Sequence, residues 1–142
     1  MNMIIKKITL SLCLIGLIVP VHAGTPLWTF KPLTATTLSI GRHQTATVSY
    51  EITNQSRKMH LLVMKTIPGV TQITTTGNCA SSFTLAYQQS CILNLSINGD
   101  ALPGNIMNGP VVCEQGNLGQ CYQPSAMDSL HISYTPSAGP YT

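Results

Sequence analysis

The chain predicts an all-β fold, an antiparallel sandwich of seven or eight short strands. Three observations predict it: apolar residues alternate with polar ones along several segments, turn-forming residues separate those segments, and no stretch of the chain after residue 23 carries the 3.6-residue apolar spacing of an amphipathic helix. A strand with one face buried and one wet has this period of two, because successive side chains point to opposite sides.

The first 23 residues stand apart. Lys6 and Lys7 precede an uncharged apolar run from Ile8 to Val19, Pro20 follows, and Val21-His22-Ala23 offers small residues where a signal peptidase reads. This is the three-part secretory pattern, with an apolar run short of the ~20 residues that span a bilayer. A lipoprotein is not expected, since the bulky Leu12 precedes Cys13 and Cys13 lies inside the apolar run. Residues 1–23 are read as a cleaved signal peptide, 24–135 as the sandwich domain, and 136–142 as a flexible C-terminal tail. The destination is secreted or periplasmic, without membrane insertion after cleavage.

Cleavage changes the composition. The full 142 residues contain five cysteines, 8% charged residues and a net charge of +3. Without residues 1–23 there are 119 residues, a charge near +1 and four cysteines. A chain this neutral offers no basic face for nucleic acid. An even cysteine count in an exported chain reads as disulfides.

The strands follow in order. Leu27 to Leu33 and Thr37 to Ile40 are short candidates. Val48, Tyr50 and Ile52 alternate with Thr47, Ser49, Glu51 and Thr53. Leu61 to Met64 and Val70 to Thr75 are again short. Phe83, Leu85 and Tyr87 alternate with Ser82, Thr84 and Ala86. Cys91, Leu93, Leu95 and Ile97 alternate with Ile92, Asn94, Ser96 and Asn98, and Leu130, Ile132 and Tyr134 form the last strand. Gly41, Asn54-Gln55-Ser56, Pro68-Gly69, Gly77-Asn78 and Asn98-Gly99 supply turns between them. Trp28 and Phe30 are expected in the core, because a small domain with few aromatics needs them inside.

Residues 101–128 interrupt the pattern. They are rich in Gly, Pro, Asn and Gln, alternate little beyond Val111-Val112, and hold two cysteines. The expectation is a long loop stapled by a disulfide. Four cysteines allow three pairings. The strand reading favours Cys79 with Cys91, across a hairpin-like excursion through Phe83 to Tyr87, and Cys113 with Cys121. A zinc site completed by His43, His60 or His131 lacks the close C-x2-C pair such sites use.

Gly77-Asn78-Cys79, Leu85 and Ser90-Cys91-Ile92-Leu93-Asn94-Leu95 resemble bacterial immunoglobulin-like modules of the ASH/hydin type. Thr45 to Ser56 resembles the second strand of those modules running into its Asn-rich turn. The likeness covers residues 36–97, with Ser129 to Thr135 as last strand, and segment 101–128 departs from it. It implies an immunoglobulin-like β-sandwich, found among small stand-alone exported proteins of Gram-negative bacteria. Such sandwiches act in adhesion, spacing and partner docking, so the fold leaves function open.

Titratable residues are scarce. Glu51 is expected on an outward strand face, Asp100 in a turn, and Glu114 and Asp128 in no acid–base pair; His43, His60 and His131 are expected at the surface. With no G-x-S-x-G motif and no spare thiol, no catalytic residue, metal ligand or cofactor is assigned. Met59, His60 and Met64 suggest an exported copper binder, but strand alternation separates Met59 from the other two, and a core Met beside an exposed His is expected. Arg57 and Lys58, with Lys65, form a solvated basic corner.

The reading is an exported, non-catalytic binding module whose partner is another protein or a surface glycan. Glu114, Gln115, Asn117, Leu118, Gln120 and Tyr122 of the stapled segment are its contact residues, since a disulfide-held loop has less ordering entropy to lose on binding. A second reading is a pilin-like subunit assembled by strand addition, and a third is a secreted hydrolase. Pro136-Ser137-Ala138-Gly139-Pro140 counts against the second, being unable to form a terminal ladder strand.

Overall fold

Buried side chains recur at every second residue of β3 (Thr45–Asn54) and β7 (Ser90–Asn98), so these strands pair along their length and form the centre of one sheet. The computed structural model describes residues 25–136. The expected signal peptide, and residues 137–142 of the expected tail, lie outside the described residues.

The first sheet runs β1-β3-β7-β5, with β1 at Trp28–Pro32 and β5 at Val70–Ile73 on its edges, all pairs antiparallel. This adjacency is that of the A-B-E-D sheet of immunoglobulin sandwiches. The second sheet runs β6-β4-β8-β9, with β4 at His60–Met64, β6 at Ser82–Leu85, β8 at Val112–Glu114 and β9 at Asn117–Tyr122. A third, two-stranded sheet pairs β2 (Thr37–Gly41) with β10 (His131–Thr135). That last pair is parallel, whereas the other strand pairs among the described residues are antiparallel.

One core joins the layers. Val48, Tyr50, Ile52, Leu93, Leu95 and Ile97 from the first sheet pack in the same cluster as Leu62, Phe83, Leu85 and Val112 from the second, with Ile40 and Ile132 from the third. Removing these apolar surfaces from water is the main driving force of the fold. Trp28 is fully buried, as expected, and its indole Nε1 donates to Val112 O at 3.1 Å, linking the edge of one sheet to the other. Phe30 is half-buried and meets Tyr50 edge-on, their centroids 6.2 Å apart.

Asn54 ends β3 on the inward face and is fully buried. Its Nδ2 donates to Lys58 O and Leu85 O, each at 2.8 Å, while its Oδ1 accepts from Ser56 N at 2.8 Å. A buried amide is tolerable only with its hydrogen bonds made. Asn54 therefore does more than mark a turn: it holds the β3–β4 turn closed and ties it to β6.

Both disulfides form as expected, Cys79 to Cys91 and Cys113 to Cys121. The path between Cys79 and Cys91 differs from a local hairpin. β6 leaves the first sheet altogether and pairs with β4 in the second. Tyr87 does not continue the inward row of Phe83 and Leu85; it lies past the end of β6, 41% exposed, with Arg57 stacked 5.1 Å from its ring centroid.

Segment 101–128 is not a loop throughout. It contributes β8 and β9, a hairpin inside the second sheet, with Cys113 and Cys121 directly opposite each other in its register. Alternation was hidden here because Val112 and Cys113 are both fully buried, one against the core and one beneath the disulfide side of the sheet. Leu102 and Ile106 pin the preceding stretch into the core, and Ile106 bridges Ile132 of β10.

Candidate functional site

The β3–β4 turn, the start of β1 and the inner face of the β8–β9 hairpin surround a recess of about 570 Å³. Its lining is Leu27, Ser56, Arg57, Lys58, Met59, His60, Glu114 and Gln120. This volume lies within the usual range for ligand sites, roughly 300–1,000 Å³.

His60 opens β4, and strand alternation puts it on the same inward side as Leu62. The expected arrangement is reversed: His60 is 7% exposed and Met59 65%. Glu114 faces the same side from β8, and His60 Nδ1 lies 3.2 Å from Glu114 Oε1, so an acid–base pair does exist. A carboxylate accepts only, so Nδ1 carries the proton and donates. The far ring nitrogen, Nε2, is buried without a hydrogen-bond partner among the described residues. The Trp28 ring packs 5.3 Å from the imidazole and meets Tyr122 edge-on at 4.9 Å, forming the apolar wall behind the pair.

Arg57 and Lys58 are exposed on the rim, and neither lies within ion-pair distance of a carboxylate among the described residues. Glu114, the one acid in the lining, is already bonded to His60. The recess thus carries two cationic side chains on its rim and one carboxylate deeper in its lining. The hydroxyl of Ser56 accepts from Lys58 N at 3.1 Å and is part of the turn. The arrangement offers charged groups of both signs beside an apolar wall.

The six expected contact residues divide. Glu114 and Gln120 line the recess, and Gln120 Nε2 donates to the Tyr122 hydroxyl at 2.7 Å. Asn117 and Leu118 are exposed near the hairpin tip, Leu118 at 68%. Gln115 is bonded through its Oε1 to the Ser82 hydroxyl at 3.0 Å. The sequence placed His60 at the surface and Arg57 and Lys58 in a solvated corner; the burial of His60 against Glu114, with Arg57 and Lys58 lining the same recess, was not foreseen. The available signal was His60's place two residues before the apolar Leu62.

Elsewhere, His43 and Asp100 form an exposed pair at 2.7 Å, where the β2–β3 turn meets the end of β7. His131 is half-buried and bonded to Ser129 O. Among the described residues no three His, Cys, Asp or Glu side chains gather as metal ligands, and no helix is long and apolar enough to cross a membrane. Two disulfides fit a non-reducing environment. Neither family models nor curated proteins contain a match to this chain.

Proposed function

We propose that this protein is an exported, non-catalytic binding module, secreted or periplasmic, that recognises another protein or a surface glycan through the β8–β9 hairpin and the recess on its inner face. The observation that carries this reading is the Cys113–Cys121 bond, which joins directly opposed residues of a hairpin lying at the edge of its sheet. A hairpin held in this way presents Leu118, Asn117 and Gln120 with little conformational entropy left to lose.

Deleting the segment is a poor test, because β8 and β9 belong to the second sheet. Leu118→Ser changes an exposed side chain and leaves the sheet intact. The immobilised protein and this variant are compared for capture from cell-envelope extract and on a glycan array. Selective capture by the parent, lost in Leu118→Ser at unchanged melting temperature, supports the reading. Equal capture by both removes the hairpin from it.

A further inference from the structure

The sequence contains two Asn-Gly dipeptides, Asn98-Gly99 and Asn108-Gly109, and the fold treats them differently. Asparagine is a labile side chain, most of all before glycine, where no Cβ shields the next backbone nitrogen from the side-chain Cγ. At Asn98-Gly99 both reacting groups are engaged elsewhere. Gly99 N donates to Gln44 O at 2.8 Å, and Asn98 Oδ1 accepts from Asp100 N at 2.9 Å. Packing demands glycine there, since a Cβ on Gly99 would run into Gly41 O.

Neither restraint holds at Asn108-Gly109. Asn108 is exposed, and its side-chain amide has no hydrogen-bond partner among the described residues. Gly109 is buried with φ at +90°, which favours glycine, yet its N has no acceptor among the described residues. A backbone N–H of a buried residue left without an acceptor is rare. No hydrogen bond has to break before this nitrogen can react.

We propose that Asn108-Gly109 is a site of spontaneous deamidation, and that its isoaspartyl product unfastens β10. Gly109 N loses its proton to hydroxide and bonds to Asn108 Cγ; the Cγ–Nδ2 bond breaks, and ammonia leaves. Water then opens the resulting succinimide at either carbonyl carbon, giving aspartate or isoaspartate at position 108. Isoaspartate routes the main chain through Cγ and so lengthens it by one carbon. That carbon falls between two anchors of β10. Ile106 exchanges both backbone hydrogen bonds with Ile132, at 3.0 and 2.8 Å, and Gly109 O accepts from Leu130 N at 2.9 Å. The lengthened segment cannot keep both anchors in register, which leaves β10 paired with β2 alone.

The test ages the disulfide-intact protein in mildly alkaline buffer and maps chymotryptic peptides by mass. Isoaspartate is marked by methyl transfer from S-adenosylmethionine with an isoaspartyl methyltransferase. Asn108 should convert at least about tenfold faster than Asn98, the factor that one hydrogen bond to be broken supplies. Asn108→Gln should abolish conversion at this position, because its extra methylene disfavours ring closure, and should leave the melting temperature unchanged because the side chain is exposed. In the isoaspartyl fraction, amide exchange at Leu130 and Ile132 should quicken about tenfold or more while β7 stays protected. Equal rates at Asn98 and Asn108, or an intact Asn108, overturn the site. Unaltered exchange at Leu130 and Ile132 in the isoaspartyl fraction overturns the release of β10.

Discussion

His60 Nδ1 lies 3.2 Å from Glu114 Oε1, so the first residue of β4 is tied to the last residue of β8 on the inner side of the second sheet. The same ring leaves Nε2 buried and unpaired, which costs about 1–3 kcal/mol. His60→Leu removes that atom and keeps an apolar group against Trp28, while Glu114, 31% exposed, can turn to water. Urea denaturation should find His60→Leu as stable as the parent or up to about 1 kcal/mol more stable, and His60→Ala about 2 kcal/mol less, through its cavity. A loss above about 1 kcal/mol in the Leu variant would mean the nitrogen is satisfied in solution.

Asn54 carries three hydrogen bonds in a fully buried position. Asn54→Ala leaves the Leu85 carbonyl unpaired and releases the β3–β4 turn, so about 3 kcal/mol of stability should go. Because that turn supplies Arg57 and Lys58, amide exchange should also quicken in residues 55–59 before it does in β7. Uniform exchange across both would place the loss elsewhere.

The Tyr50 hydroxyl donates to Asp128 O at 2.6 Å, and burial, with the Asp128 charge adding to it, raises its pKa well above the ordinary tyrosine value. The folded state thus holds its proton more tightly than the unfolded state does. That contribution is complete below the unfolded pKa of about 10 and is lost as pH climbs from there toward the raised folded value. Melting temperature should therefore fall above about pH 10, and Tyr50→Phe, less stable at neutral pH, should show a shallower fall. Parallel slopes would assign the alkaline loss to other groups.

Paired Cys113→Ala and Cys121→Ala substitutions open a short loop, and the chain-entropy relation gives a loss of about 2–3 kcal/mol. The first sheet should keep its slow amide exchange while β9 loses protection, since among the described residues β9 has β8 as its one strand neighbour. Loss of protection in β3 and β7 at the same rate would show that the hairpin is not an independent edge.

Much of the strand content was legible in the chain, and for a local reason. Val48, Tyr50 and Ile52, or Leu93, Leu95 and Ile97, alternate because one side of their sheet is covered and the other is wet, and that pattern is written residue by residue. The cysteine pairs were legible because each closes a short loop. Segment 101–128 was not, since Val112 and Cys113 are both buried and β8 is only three residues long, so no period of two survives.

By itself, then, the sequence determined the all-β class, the core rows and both disulfides. Tertiary structure alone decided that β6 crosses to the second sheet, that β2 and β10 run parallel, and that His60 points inward. Each of these depends on a partner outside the segment itself: β6 pairs with β4, β10 pairs with β2, and Glu114 stands 54 residues from His60. Alternation states which face of a strand is apolar. Only packing selects what that face meets, because burial rewards any apolar partner and the hydrogen bonds that discriminate among them are made between segments, not within them.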